Sequence, residues 1–256
     1  MAKEQIPNDK LLLFHEVIKL LKEFNVNYWL DQGSLLGAVR NNAFITWDHD
    51  VDMGVWHNDM DILKKIAARL TAIGARVSFF QYAVKIKFKK NDISSIPVNI
   101  RFYYKKDGYA FSEFWGVMNK KSIFNKTLKI LKNYSSKSIY KIYESERHHT
   151  FVNRVLIFIY RLLFNVSLFL REVLKVRRVI FRTDEKYFVN FKDKRIYGVN
   201  VRIPEKPEKY LEFKYGKDWK KPVKEWVWWK DDGALFRNDL FRMSVFGFRK
   251  RLNMSK

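Results

Sequence analysis

The chain has 256 residues and contains no cysteine. This absence excludes a disulfide framework and every metal site built on thiolates. Residues 1–10 are polar, and the apolar run that begins at Leu11 is interrupted by His15, Glu16 and Lys19, so the N-terminus lacks the pattern of a secretory signal peptide. We therefore expect the protein to stay in the cytoplasm.

Acidic residues are scarce relative to basic ones, with 27 Asp and Glu against 50 Lys and Arg and a formal net charge of +23. Such a charge creates a long-range field that favours anionic partners, among them nucleic acid, anionic lipid headgroups and phosphorylated substrates. Composition alone does not select among these three. The apolar fraction of 47% is that of a chain able to bury a core.

Hydrophobic periodicity predicts an α+β fold with a mixed β-sheet flanked by helices. Apolar residues spaced three or four apart predict helices, and short alternating or apolar runs predict strands. The predicted helices are 8–24, 35–40 and 58–73, with a turn at 31–34, and the predicted strands are 26–30, 48–55, 76–80, 84–88, 96–104 and 109–115, the last two joined by a hairpin turn at 106–108.

Composition predicts three segments, a core at 1–118, a basic helical segment at 119–200 and a C-terminal segment with a basic tail at 201–256. Within the second segment, residues 155–170 are strongly apolar around a central Arg161. Three interpretations compete for them: a buried or partner-covering helix, a basic helix lying on a membrane surface, and a membrane span. The span is the weakest, because an arginine at its centre costs several kcal/mol.

Three aspartates, Asp48, Asp50 and Asp52, recur at every second position. On a strand this spacing would point all three to one face. Asp50 and Asp52 could then share one Mg²⁺ or Mn²⁺ through hard oxygen ligands, leaving other positions on the ion for phosphate and water. An acidic loop exposed to solvent is the alternative interpretation of this segment.

Gly33 and Ser34 precede the predicted helix at 35–40. A glycine permits close backbone approach, and the start of a helix directs N–H groups at an anion, so these two residues are candidates for binding donor phosphate. Arg40, at the end of the same helix, is a further candidate or else a surface charge.

Two blocks of the sequence form a recognisable pattern. The first block is Tyr28-Trp29-Leu30-Asp31-Gln32-Gly33-Ser34-Leu35-Leu36-Gly37-Ala38-Val39-Arg40 followed by Phe44-Ile45-Thr46-Trp47-Asp48-His49-Asp50-Val51-Asp52-Met53-Gly54, and the second contains Tyr210-Leu211-Glu212 and Tyr215-Gly216-Lys217-Asp218-Trp219. These blocks resemble the LicD and fukutin-related family, whose members have the nucleotidyltransferase fold. The resemblance covers about the first hundred residues well and the second block moderately.

The resemblance implies a phosphotransferase that moves phosphocholine, a phospho-alditol or a similar group from a CDP-linked donor to a hydroxyl of a cell-surface glycan or its lipid-linked precursor. It implies Mg²⁺ on Asp50 and Asp52, with Asp48 as a third catalytic carboxylate or as a residue that supports the two metal-binding carboxylates. Tyr215, Asp218 and Trp219 are candidates for an acceptor wall or lid, or for packing of a C-terminal loop. Such an enzyme would work at the inner face of the membrane, in contact with anionic headgroups.

One residue departs from the family pattern. The family often supplies a further aspartate from a later strand, and the equivalent position here is Asn99, whose neutral amide cannot act as a general base. Either Asp48 takes that role, or the strand is misaligned and Asp92 or Asp107 does, or the protein has lost activity.

Two other classes of function remain open. An RNA-directed nucleotidyltransferase would use the net positive charge to bind a nucleic acid backbone. It is the weaker alternative, because no aromatic RNA-binding pattern appears in the sequence. A non-catalytic member of the fold is the other, and Asn99 supports it. The sequence gives no prediction of the oligomeric state.

Overall fold

The computed structural model describes residues 8–80, 82–90, 93–116, 177–226 and 231–236. The chain divides into two compact units, one of Met1–Val77, Tyr82–Glu113 and Ile180–Phe236, and one of Ser78–Gln81, Phe114–Val179 and Arg237–Lys256. The predictions for 155–170 and for the basic tail at 241–256 lie outside the described residues. The division into segments at 118 and 200 stays a prediction.

The order of helices and strands matches the α+β prediction as far as residue 116. The prediction of a helical segment at 119–200 is wrong for its described part, because residues 177–200 form strands and a 3-10 turn. The helices are α1 (Leu12–Glu23), α2 (Gln32–Asn41), α3 (Met60–Ala72) and α4 (Pro207–Tyr215), with 3-10 turns at Asn8–Leu11, His57–Asp59 and Glu185–Phe188. The strands are β1 (Tyr28–Leu30), β2 (Val51–Trp56), β3 (Arg76–Phe80), β4 (Ala83–Lys87), β5 (Lys89–Lys90), β6 (Ile93–Ser94), β7 (Val98–Lys106), β8 (Tyr109–Gly116), β9 (Arg177–Asp184), β10 (Phe191–Ile196) and β11 (Val199–Pro204). In the part of the chain that the structure describes, no helix is long and apolar enough to cross a membrane.

A mixed sheet forms the centre of the first unit, in the strand order β1-β2-β7-β4-β3, and β8 pairs with both β7 and β9. β2 and β7 are parallel, whereas β1 with β2, β4 with β7 and β7 with β8 are antiparallel. β10 and β11 form a separate antiparallel hairpin. The predicted mixed sheet flanked by helices is confirmed.

One face of this sheet is apolar and forms the core. Alternate residues of β2, β4 and β7 point to it, because successive side chains on a strand project to opposite faces. These residues are at most 2% exposed: Val51, Met53, Val55, Val84, Ile86, Val98 and Ile100. The opposite face of the same strands carries the polar side chains from which the candidate site is built.

Two predicted boundaries next to the aspartates are wrong. α2 begins at Gln32 and not at residue 35, because Asp31 caps it and its Oδ1 accepts a hydrogen bond of 2.8 Å from the Gln32 N–H. β2 begins at Val51, so Asp48 and Asp50 lie in the preceding loop rather than on the strand. The Val51 N–H donates to the Pro97 carbonyl, and Pro97 has no N–H with which to continue the pairing.

The hairpin turn between β7 and β8 lies where the sequence predicts it. Asp107 and Gly108 both have positive φ angles, 50° and 76°. This combination is typical of the tight turn that matches the twist of two antiparallel strands, and it favours an Asp-Gly pair.

Candidate functional site

Polar side chains form a row across three neighbouring strands. Asp52 of β2 is paired with Asn99 of β7, which is paired in turn with Lys85 of β4. Paired residues of neighbouring strands project to the same face, so the three side chains lie side by side on the face opposite the apolar core. The predicted position of Asn99 beside the acidic cluster is therefore correct.

Asn99 joins two of the aspartates. Its Nδ2 donates to Asp50 Oδ2 at 2.5 Å and lies 3.4 Å from Asp52 Oδ1. The loop before β2 thus brings Asp50 to the same place as Asp52, although only Asp52 is on the strand. Asp107 cannot replace Asn99 as a base, since it follows eight residues later on an extended strand, or about 26 Å away. Asp92 lies outside the described residues.

Asp48 packs against the start of α2. A Cβ atom added to Gly33 would come within 2.2 Å of Asp48 Oδ2, so a larger residue would displace this carboxylate from its position. Burial raises the pKa of Asp48, and the nearby Asp50 raises it further. Gly33 thus permits the close approach of Asp48, a role that the sequence analysis did not assign to it.

The carboxyl group of Asp52 is buried next to other acidic side chains. Burial raises its pKa from 3.8 to about 7, Asp50 adds to that rise, and Arg101 on the next row of the sheet acts in the opposite direction. A carboxylate whose ionisation is this unfavourable is stabilised by a cation placed beside it.

Ser34 connects the start of α2 to β2. It is 2% exposed, and its Oγ accepts a hydrogen bond of 2.8 Å from the Asp52 N–H. Gly33 and Ser34 both lie in the first turn of the ten-residue α2, where the backbone N–H groups have no partners within the helix. The predicted phosphate-binding residues are thus adjacent to the aspartates.

Arg40 lies at the opposite end of α2, about 10 Å along the helix axis from Gly33. Its Nε donates to Asn41 Oδ1 at 2.8 Å, and its Nη2 is buried without a hydrogen-bond partner among the described residues. Burial lowers the pKa of Arg40, and Tyr215 opposes that shift. Arg40 can contact a phosphate bound at the first turn of α2 only if its side chain extends back along the helix.

The sequence analysis missed the role of Asp31, which is fully buried behind the helix start. Its Oδ2 accepts from the Tyr103 hydroxyl at 2.5 Å, and its Oδ1 from the Tyr210 hydroxyl at 2.9 Å. Burial raises the pKa of both tyrosines well above its usual value. An aspartate directly before a helix is a recognised N-cap signal that could have identified Asp31.

The three C-terminal candidates have different environments. Burial raises the pKa of Tyr215 well above its usual value. The negative charges of nearby carboxylates raise it further, those of Asp232, Asp31, Asp52 and Asp48. Tyr215 therefore lies within electrostatic range of the acidic cluster. Trp219 is 8% exposed and packs in the interior. Asp218 is exposed and pairs with Lys221 at 3.0 Å.

A buried ion pair also escaped the sequence analysis. Lys214 Nζ of α4 lies 2.7 Å from Asp232 Oδ2, and both side chains are 1% exposed. The Gly233 N–H donates to the Lys214 carbonyl at 2.8 Å, which fixes the segment 231–236 to the end of α4. No local pattern predicts a contact between residues this far apart in the sequence.

The residues fit a divalent cation held by a pair of carboxylates. In the described ranges no three His, Asp or Glu side chains are grouped closely enough to hold a metal ion together. Asp50 and Asp52 remain, with the hard oxygens that Mg²⁺ and Mn²⁺ prefer. Magnesium sites commonly use one or two carboxylates together with substrate phosphates and water.

Comparison with known proteins gives one family. Residues 25–134 match the model of the LicD/FKTN/FKRP nucleotidyltransferase domain. An uncharacterized protein of Rickettsia prowazekii (strain Madrid E) is 36% identical over 83 residues, which is 31% of this chain and 31% of that protein. Ribitol 5-phosphate transferase FKRP of Homo sapiens is 29% identical over 104 residues, which is 39% of this chain and 21% of that protein. The chain thus spans between about a fifth and a third of the length of these relatives.

Among solved structures, ANT(2″)-Ia in complex with adenylyl-2″-tobramycin is 19% identical, with a TM-score of 0.30 over 39% of this chain and 53% of that one. A solution structure of ANT(2″)-Ia is 14% identical, with a TM-score of 0.33 over 66% of this chain and 93% of that one. Scores this low do not establish a shared fold.

Proposed function

From the premise that residues 25–134 are a LicD/FKTN/FKRP nucleotidyltransferase domain, we propose that the chain is a phosphotransferase. It takes a phosphocholine or phospho-alditol group from a CDP-linked donor and places it on a hydroxyl of a cell-surface glycan or its lipid-linked precursor. The observation that carries this proposal is the meeting of Asp50 and Asp52 on the Asn99 amide, beside the first turn of α2. The similarity to a ribitol 5-phosphate transferase supports a phospho-alditol as the transferred group.

Asp50 and Asp52 would hold Mg²⁺ or Mn²⁺. The bound cation would neutralise charge on the donor pyrophosphate, which is its usual contribution to phosphoryl transfer. It would also favour the ionised form of Asp52, whose pKa burial and Asp50 otherwise raise to about 7.

The first turn of α2 would bind the donor phosphates through its backbone N–H groups, at the positive end of the helix dipole. Gly33 and Ser34 lie in this turn, and the hydrogen bond from the Asp52 N–H to Ser34 Oγ fixes the turn relative to the carboxylates. Asp31, held by two tyrosine hydroxyls, positions the same turn from behind.

Asp48 would serve as the general base. Its pKa is raised by burial and by Asp50, and a base works best when its pKa approaches the working pH. In the reaction, a bond forms between the acceptor oxygen and the distal phosphorus of the donor, while the bond from that phosphorus to the CMP oxygen breaks. The acceptor proton passes to Asp48, and CMP leaves.

Calorimetric titration with CDP-ribitol, CDP-glycerol and CDP-choline tests this proposal. We expect one of them to bind with Mg²⁺ and to bind at least tenfold more weakly without it. Asp50→Ala should abolish the metal-dependent part, whereas Asp193→Ala, at an exposed aspartate of β10, should change nothing. Absence of binding by all three compounds in the presence of Mg²⁺ would overturn the proposal.

A non-catalytic role is the second candidate, and Asn99 is the observation that favours it. It predicts that the wild type binds a CDP compound but releases no CMP, while Asn99→Asp, which restores the family's carboxylate, releases it. CMP release by the wild type in the presence of a glycan acceptor would exclude this alternative.

A further inference from the structure

A recess of about 340 Å³ lies between α1 and the β10–β11 hairpin. It shares no residue with the acidic cluster described above. Its lining includes a histidine, two lysines and an arginine, namely His15, Lys19, Lys22 and Arg195. Positive charge thus converges on one concavity from two separate elements, a helix and a strand.

These charges are weakly compensated. The ion pair of Lys19 Nζ with Glu16 Oε2 is 3.9 Å long, and the two side chains are 69% and 43% exposed, so solvent screens it. Among the residues that the structure describes, Lys22 and Arg195 have no carboxylate oxygen within 4.0 Å. Lys19 and Lys22 are three residues apart on one helix face, where like charges repel each other.

The remaining lining residues suit an anion that carries a carbon substituent. Ile18 and Val199 add apolar surface, and Asn200 adds a side-chain amide that can donate two hydrogen bonds. A recess of this volume is large enough for a small organic molecule. Phosphate matches the arrangement because its several oxygens can accept from a guanidinium and from ammonium groups at the same time.

We propose that this recess is a binding site for the phosphate group of a phosphomonoester or phosphodiester. Such a site goes beyond the proposed transferase function and does not depend on it, because it uses none of the residues of the acidic cluster. The ligand could be a lipid headgroup or a free phosphorylated compound, which present the same chemistry to the recess.

The floor of the recess is held in place by Tyr197, in the turn between β10 and β11. Tyr197 and Gly198 have positive φ angles of 48° and 80°, which define a tight hairpin turn. The Tyr197 carbonyl accepts from His15 Nε2 at 3.0 Å, and its hydroxyl accepts from the Phe44 N–H at 3.0 Å. These contacts fix the backbone of the turn that borders the recess.

The test compares two double variants of the full chain. Lys22→Glu with Arg195→Glu reverses one lysine on a helix and one arginine on a strand inside the recess. Lys65→Glu with Arg76→Glu makes the same change of net charge at an exposed lysine of α3 and an exposed arginine of β3. Lys22→Met with Arg195→Met is measured as well, so that the loss of positive charge is separated from the gain of carboxylates. Circular dichroism melting checks that each variant is folded.

The first probe is glycerol 1-phosphate, followed by amide shifts in two-dimensional NMR spectra. The second is sedimentation with vesicles of phosphatidylglycerol in phosphatidylcholine. We expect saturable binding of at least one probe, with the soluble probe shifting the amides of Gly198 and Asn200. The recess variants should weaken binding at least tenfold and the control variant less than twofold. Recess-dependent binding of vesicles alone identifies a lipid headgroup, and binding of glycerol 1-phosphate without binding of vesicles identifies a free compound. Binding of both supports a phosphate site that accepts either source.

Two results would overturn the proposal. One is an equal loss of binding in the recess and control variants, which would show that only the diffuse field of the basic chain attracts anions. The other is the absence of saturable binding by either probe. Failure of the CDP titrations leaves this test intact, because it involves other residues.

Discussion

The two faces of the central sheet are made by the same strands and have opposite chemistry. On β2, Val51, Met53 and Val55 are fully buried in the apolar core, while Asp52, between two of them, projects to the other face. On β7, Ile100 is 1% exposed and its neighbour Asn99 contacts two carboxylates. Buried apolar side chains on the first face stabilise the fold, whereas the carboxylates held close together on the second face repel one another and oppose it.

Substitutions at the two sets of residues should therefore have different effects. A change on the apolar face removes buried surface and should lower stability with little direct effect on chemistry. A change at a carboxylate of the polar face should do the reverse, because clustered like charges are retained for what they bind rather than for stability.

The largest effect is expected from Asp52→Asn. The amide keeps the shape of the side chain but removes the charge, so transfer from a CDP-linked donor should fall by at least about a hundredfold, as for other groups that stabilise charge in a transition state. Rates of CMP release measure it, with Asp193→Asn as the exposed control. If the variant keeps its activity within a factor of three, Asp52 does not take part in the reaction.

A second comparison uses two adjacent residues of β4. Ile86 is 1% exposed on the apolar face, so Ile86→Ala should lower the free energy of unfolding by about 2–5 kcal/mol. Lys85 projects to the polar face, and Lys85→Ala should lower it by no more than about 1 kcal/mol. Urea unfolding of the two variants gives both values, and equal losses would contradict the assignment of the two faces.

A smaller effect is expected at the buried cap of α2. Tyr210→Phe removes the hydroxyl that donates to Asp31 and leaves a buried acceptor with one partner fewer, at a cost of about 1–3 kcal/mol. The ring of Tyr187 contacts that of Tyr210, and its hydroxyl has no hydrogen-bond partner among the residues described. Tyr187→Phe should therefore change stability by less than about 0.5 kcal/mol. If the two variants melt at the same temperature, the cap is not held by Tyr210.

Sequence predicted the parts of the site that are close together along the chain. Gly33, Ser34, Asp50 and Asp52 meet as expected, because short turns and strand pairing bring them together. The strand boundary was wrong, since alternation of aspartates also occurs in a loop and the pairing ends at Pro97, a residue outside the motif.

Long-range contacts could not be predicted in the same way. Tyr103 has a weak signal, because it lies four residues after Asn99 on the same strand face. Tyr210 is 179 positions from Asp31, and the Lys214–Asp232 pair depends on how the segment 231–236 returns to α4. Such contacts are determined by tertiary packing, which a single sequence does not reveal.

The most direct test of the cation site is thermal unfolding at several pH values with and without Mg²⁺. The pKa of Asp52 is raised from 3.8 to about 7, so the folded state binds its proton more tightly than the unfolded chain does. Without metal, the stability contributed by Asp52 is fully present below pH 3.8 and is lost as the pH rises to about 7.

At pH 8, Mg²⁺ at a hundred times its Kd should raise the free energy of unfolding by about 2.7 kcal/mol. At pH 5 the increase should be much smaller, because the proton competes for the same oxygens. Asp52→Asn should abolish both the pH dependence in this range and the response to Mg²⁺, whereas an equal response of the wild type and Asp52→Asn would contradict a cation site at Asp50 and Asp52.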